Sequence, residues 1–123
     1  SDDLEKKITK NTKCIMVVHM YGAVCDMNKI MKLSKKYNLP IIEDCAQCFF
    51  GKDYKGRITG TIGDIGVWSF ENSKHLTTGD GGIVTTNDEQ LGDLLRKLSC
   101  QGFKNATAVN GKIRTSKSNH YRH

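Results

Sequence analysis

Three consecutive stretches decide the fold: Cys14-Ile15-Met16-Val17-Val18-His19, Asp26-Met27-Asn28-Lys29-Ile30-Met31-Lys32-Leu33-Ser34-Lys35-Lys36-Tyr37, and Pro40-Ile41-Ile42-Glu43-Asp44. The first is a short, continuous, β-branched apolar run bounded by Lys13 and Tyr21-Gly22, which predicts a buried strand. In the second, Asp26 stands where a helix N-cap belongs, and Met27, Ile30, Met31, Ser34 and Tyr37 follow at helical spacing. Asn38-Leu39-Pro40 ends it, because proline cannot continue a helix. The third is a second strand. Strand, helix and strand at this spacing predict a βαβ unit with parallel strands.

Working outward, Gly51, Gly56, Gly60 and Gly63 punctuate a stretch of turns and loop. Ile65-Gly66-Val67-Trp68-Ser69-Phe70 reads as a third strand and Ile83-Val84-Thr85-Thr86 as a fourth. Asn87 is placed to cap a further helix, with Gln90 at the capping-box position and Leu91, Leu94, Leu95 and Leu98 on its apolar face. Gln101-Gly102 is expected to close that helix. The periodic part spans residues 4–103, and residues 104–123 read as a polar, basic loop. The class is α/β, a mostly parallel sheet with flanking helices. Two helices cannot cover both faces of such a sheet, so the domain is expected to be incomplete. The lack of an initiator Met points the same way.

The chain has 123 residues, 37% apolar and 26% charged, with a net charge of +6. These are values of a globular domain, and no run reaches the roughly 18 apolar residues that span a bilayer. The polar, acidic start Ser1-Asp2-Asp3 is unlike a signal peptide. Lysines and arginines are scattered from Lys6 to Arg122 without a block of like charge or interleaved aromatics, so nucleic acid is not the expected partner. Five cysteines (Cys14, Cys25, Cys45, Cys48 and Cys100) are too few and too irregular for a disulfide scaffold. Reduced thiols and a cytoplasmic setting are expected. Cys45-Ala46-Gln47-Cys48 has CxxC spacing but no second ligand pair, so two small apolar side chains are expected there rather than a metal or redox centre.

Three residues invite a chemical reading, and each has a plainer one. Asp44 ends a parallel strand, where α/β sheets place ligand-binding groups, but an aspartate there also caps whatever follows. Ser69 ends the third strand, where a hydroxyl can meet a phosphate or simply satisfy the backbone. Lys74 lies in Asn72-Ser73-Lys74-His75-Leu76-Thr77-Thr78-Gly79-Asp80-Gly81-Gly82, whose hydroxyls, glycines and cation suit a phosphate-bearing ligand. It is not a Walker A loop, because the lysine precedes the glycines. A solvated surface lysine is the alternative.

Four motifs occur in order: Val18-His19-Met20-Tyr21-Gly22, Glu43-Asp44-Cys45-Ala46-Gln47, Gly63-Asp64-Ile65-Gly66-Val67-Trp68-Ser69-Phe70 and Lys74-His75-Leu76-Thr77-Thr78-Gly79-Asp80-Gly81-Gly82. Together they resemble the DegT/DnrJ/EryC1/StrS family of pyridoxal 5'-phosphate (PLP)-dependent sugar aminotransferases, from about Leu4 to Phe103. The resemblance implies part of the large domain of a fold-type-I PLP-dependent transferase (aspartate aminotransferase-like). Lys74 matches the lysine that forms the internal aldimine, which requires its uncharged amine. It then shuttles a proton between substrate and cofactor. Asp44 matches the carboxylate that pairs with the pyridine nitrogen, Gln47 the glutamine near the ring hydroxyl, and Ser69 a phosphate-contacting serine. Asp44→Asn is then expected to spare binding more than turnover. The implied partners are a keto sugar, nucleotide-linked, and glutamate or glutamine as donor, in a homodimer with shared active sites.

His19 and Tyr21 are expected to line a pocket or pack a strand end, without chemistry. Asp80-Gly81-Gly82 matches a turn that returns the chain into an antiparallel strand. Cys45 and Cys48 stand where the family usually has small residues such as alanine, which bears on packing and not on Asp44 or Gln47. Relatives that dehydrate rather than transaminate carry histidine in place of the lysine, so Lys74 favours transamination. Asn119-His120-Tyr121-Arg122 resembles a downstream Asn-Tyr-Arg motif but is interrupted by His120, and is not carried over. A non-catalytic ligand-binding relative is the reading of another class, and Lys74, Asp44, Gln47 and Ser69 together weigh against it. A doubly wound nucleotide-binding domain would need a glycine-rich turn after the first strand, and Tyr21-Gly22-Ala23 is not one.

Overall fold

The computed structural model describes residues 2–99 and the backbone of 108–109 and 112–113. Helix α1 (Asp2–Lys7) leads to strand β1 (Ile15–Val18), a 3-10 turn over Met20–Gly22, helix α2 (Met27–Tyr37) and strand β2 (Ile41–Asp44). Strands β3 (Ile65–Ser69) and β4 (Gly82–Thr85) follow, then helix α3 (Glu89–Ser99) and strands β5 (Ala108–Val109) and β6 (Lys112–Ile113). The main sheet has the order β1-β2-β3-β4. β1, β2 and β3 are parallel, and β4 returns antiparallel beside β3. The expected βαβ unit and the expected antiparallel return are therefore both present.

The side chain of Asp26 accepts from the Lys29 N–H at 3.3 Å and caps α2 as expected. At the other end Asn38 takes a left-handed conformation (φ 50°), and the Leu39 N–H donates to the Ser34 carbonyl at 3.0 Å. The helix thus stops at Asn38, before Pro40 is reached, since asparagine tolerates this conformation. α1 is formed where no helix was expected. It buries no residue and carries a Lys7–Asp3 ion pair one turn apart.

The two sides of the sheet differ. Strand alternation sends Ile15, Val17, Ile41 and Trp68 to one face, where they are buried. There Ile15, Val17 and Ile41 pack with Met27, Leu39 and Ile62, with Leu4, Ile8, Cys25, Ile30 and Met31 at the margin. Met27 and Ile41 are fully buried, worth about 1.5–3 kcal/mol each. The opposite face carries Met16, Val18, Ile42, Asp44, Val67 and Ser69, none of them buried. Between β2 and β3 the chain forms no helix. It makes a glycine-marked loop with one antiparallel bridge, Lys52 to Ile58.

Residues up to Asn87 form one compact unit and those from Asp88 a second. In the second, α3 is capped by Asp88 rather than Asn87. Its Oδ1 accepts from the Leu91 N–H at 2.8 Å, one position later than expected. Both residues cap well, and helix boundaries shift by a residue easily. The expected Gln101-Gly102 stop, Cys100 and the Asn119-His120-Tyr121-Arg122 stretch lie outside the described residues. Within 104–123, expected to be loop, Ala108 pairs with Ile113 and Val109 with Lys112 in an antiparallel ribbon.

Candidate active site

Because β1, β2 and β3 are parallel, their carboxyl ends share one edge of the sheet. Register sets Val18, Asp44 and Val67 side by side there, with Ser69 two residues beyond Val67 on the same face. Asp44 is half-buried, and its Oδ1 accepts from the Ala46 N–H at 3.0 Å. It therefore closes a local turn, with no helix following to be capped. The Ser69 Oγ accepts from the Glu71 N–H at 3.3 Å, so its own hydrogen remains to be donated. Gln47 is exposed, and its Oε1 accepts from the Tyr21 N–H at 3.1 Å. With the amide oxygen engaged, its NH2 remains as a donor.

Lys74 sits half-buried in the connection from β3 to β4. Both ends of that connection are tied to Phe70. The Phe70 N–H donates to the Gly81 carbonyl at 2.8 Å, and the Phe70 carbonyl accepts from the Thr78 N–H at 3.0 Å and the Thr77 hydroxyl at 3.1 Å. The Lys74 N–H donates to the Glu71 carbonyl at 3.0 Å. Phe49 lies against Phe70 (centroids 5.9 Å apart) and edge-on to His75 (6.1 Å), joining the loop after β2 to the Lys74 loop. Ser73, through its hydroxyl and N–H, and to a lesser extent the charge of Lys74 hold Glu71 below the usual carboxylate range. Among the described residues, no hydrogen bond or ion pair joins the side chains of Asp44, Gln47, Ser69 and Lys74 to one another.

A buried polar knot beside this edge went unforeseen. His19 and Glu43 are fully buried. The His19 Nε2 lies 3.1 Å from the Glu43 carboxylate, and its Nδ1 accepts from the Cys25 N–H at 3.2 Å. The network therefore puts the imidazole hydrogen on Nε2, and His19 packs a strand end instead of lining a pocket. Glu43 also accepts from the N–H groups of Gly60 (2.8 Å), Ile62 (2.7 Å) and Gly63 (2.6 Å). Burial alone would raise Glu43. His19 and the Gly63, Gly60 and Ile62 N–H groups outweigh it and hold the carboxyl below its ordinary value of 4.5. The sequence did contain a signal: Glu43 shares strand parity with Ile41, so it had to enter the covered face.

A depressed folded-state pKa stabilises the fold above the unfolded value and loses that contribution as pH falls through the folded one. The melting temperature of the protein is therefore expected to exceed that of Glu43→Gln at pH 7. The gap should narrow progressively below about pH 4.5, the ordinary value. A gap that stayed constant into acid would mean that the carboxylate charge is not what holds the knot together.

The ligating atoms of His19, Glu43 and Cys45 lie within 4.8 Å of one another. The imidazole and carboxylate are already engaged, however. Burial, helped by the Glu43 charge, pushes the Cys45 thiol up to about 12, so it stays protonated. Cys45 and Cys48 are buried free thiols on a turn closed by the Cys48 N–H and the Cys45 carbonyl at 3.0 Å. No helix opens at the pair, as a thioredoxin-type site requires. A groove of about 400 Å³ lies elsewhere, between α2 and the 54–57 turn, lined by Lys32, Lys35, Lys55 and Arg57 among others. None of the candidate site residues lines it.

A family model described as the DegT/DnrJ/EryC1/StrS aminotransferase family matches residues 1–119. The chain belongs to this family. Among DegT/DnrJ/EryC1/StrS relatives, it is 52% identical over 101 residues to a GDP-perosamine synthase of Escherichia coli O157:H7, covering 82% of this chain and 28% of that protein. It is 50% identical over 100 residues to a dTDP-3-amino-3,6-dideoxy-alpha-D-galactopyranose transaminase of Aneurinibacillus thermoaerophilus, covering 80% and 27%. An aminotransferase structure from Psychrobacter cryohalolentis superposes with a TM-score of 0.74 at 44% identity, covering 98% of this chain and 30% of that one. The chain thus spans under a third of the length of these relatives. Its fold is part of the fold-type-I transferase large domain, as the motifs implied.

Proposed function

We propose that this chain carries the cofactor-anchoring segment of a PLP-dependent sugar aminotransferase. The protein would move an amino group from glutamate or glutamine to a keto sugar, nucleotide-linked. One observation carries the reading. In a member of this family, Asp44 and Ser69 share the open face at the carboxyl edge, and Lys74 follows β3 in a turn tied down at both ends. The names of the two relatives, a GDP-linked and a dTDP-linked amino-sugar enzyme, support the substrate class. A cytoplasmic homodimer with shared active sites completes the proposal.

The residues present fit the cofactor's functional groups. Asp44 keeps Oδ2 without a partner among the described residues, an acceptor for a protonated ring nitrogen. The Gln47 NH2 can donate to the ring hydroxyl, because Tyr21 already occupies its oxygen. The Ser69 hydroxyl can donate to a phosphate oxygen. When bound, PLP supplies an electron sink for the bond that breaks at the substrate carbon. Asp44 keeps the ring nitrogen protonated, and the Lys74 amine anchors the cofactor and then carries a proton to and from the substrate carbon.

The test is to supply the full-length protein with PLP, reduce with borohydride and map the adduct by mass spectrometry. A pyridoxyl group on Lys74 is expected. Labelling at another lysine, or none in a folded protein, would overturn the assignment.

A further inference from the structure

The strand end that bears Asp44 is held from its other side. Successive side chains of a strand point to opposite faces, so any rotation of the end of β2 about its axis swings Glu43 and Asp44 together. On the covered face Glu43 is anchored through both carboxylate oxygens. Oε2 accepts from His19 (3.1 Å) and the Gly60 N–H (2.8 Å), and Oε1 from the N–H groups of Ile62 (2.7 Å) and Gly63 (2.6 Å). His19 is tied a second time, its N–H donating to the Asp44 carbonyl at 3.0 Å. Its imidazole is fixed in turn by the Cys25 N–H at 3.2 Å.

We infer that Glu43 is a positioning residue for Asp44: its four-donor anchorage on the covered face sets the direction in which Asp44 presents its carboxylate on the open face. The inference rests on the reading of Asp44 as partner of the PLP ring nitrogen. Glu43 touches no ligand and moves no proton, because every acceptor direction it has is used inside the fold. An amide cannot replace it. Each oxygen takes two donors, so Glu43→Gln in either orientation sets an NH2 against two N–H groups. His19 offers no relief by changing tautomer, since that would place a hydrogen on Nδ1 against the Cys25 N–H.

The experiment uses the full-length protein loaded with PLP labelled with nitrogen-15 at the ring nitrogen. Affinity and the nitrogen-15 signal are read for the wild type, Glu43→Gln, Asp44→Asn and the double variant. Wild type is expected to show a protonated ring nitrogen. Glu43→Gln should move the signal toward the unprotonated value of Asp44→Asn and weaken PLP about tenfold. In the Asp44→Asn background the same change should add less than about twofold, because its route to the cofactor is gone. A wild-type signal in folded Glu43→Gln, or fully additive effects, overturns the inference. If Glu43→Gln does not fold, His19→Leu keeps the three backbone donors and is read by the same criteria. A wild type that binds no PLP would instead bring down the cofactor reading itself, a distinct outcome.

Discussion

Lys74→Arg in the full-length protein is expected to lose the borohydride-trapped pyridoxyl adduct entirely and to lower turnover by at least roughly 10²–10⁴-fold, the range for general acid–base catalysis alone. Arginine retains a cation but not a group that deprotonates or forms the covalent link. Non-covalent PLP binding should largely survive, because Asp44, Gln47 and Ser69 are supplied by other parts of the edge. Mass mapping, absorbance of bound cofactor and single-turnover rates read the three effects separately. Transamination at the wild-type rate in Lys74→Arg would remove the lysine from the chemistry.

Gly66→Ala carries the largest expected cost to stability. A Cβ on Gly66 would lie 2.0 Å from the Gly60 carbonyl oxygen and 2.6 Å from its carbonyl carbon and Cα. All three atoms are backbone, so no side chain can turn aside. Nor can the Gly60 segment retreat cheaply, because Gly60, Ile62 and Gly63 are bound to Glu43. Overpacking of this kind costs about 3 kcal/mol, the upper end of the usual range, because backbone must shift. Gly56→Ala is the control. Gly56 has a φ of 76° with nothing within 4 Å of an added Cβ, so it should cost only the roughly 1–2 kcal/mol of left-handed backbone. Urea denaturation of both variants decides the point. Equal losses would show that the 58–63 segment yields more readily than its hydrogen bonds imply.

These two residues also mark what could be read from the chain in advance. The βαβ unit was legible because a continuous β-branched apolar run, the 3.6-residue periodicity of α2 and a second short apolar strand are separated by clear turn signals. α1 was not, since a six-residue helix whose one apolar residue, Leu4, is only partly buried leaves no periodic trace. Asp44 and Ser69 were legible as strand-end candidates, but composition could not choose between ligand binding and local capping. In the structure each does accept a local backbone N–H while keeping capacity for more. Lys74 was a solvated lysine by pattern and a cofactor anchor only by resemblance. The burial of Glu43 was legible from its strand parity with Ile41, but its partners were not: three of its donors are backbone groups of a loop about twenty residues downstream, and no side-chain motif announces them.

The tethering of the β3–β4 connection to Phe70 has a consequence for concentration. A lysine on an open loop samples a wide volume, and its meeting with an aldehyde is diluted by that search. Here residues 71–80 begin and end on one residue, so the loop-closure entropy is settled when the sheet forms. Lys74 is left to search a smaller volume than it would on an open loop. For the proposed anchoring role, this shortens the search of the Lys74 amine for a cofactor already bound at the strand ends, and so raises their effective molarity.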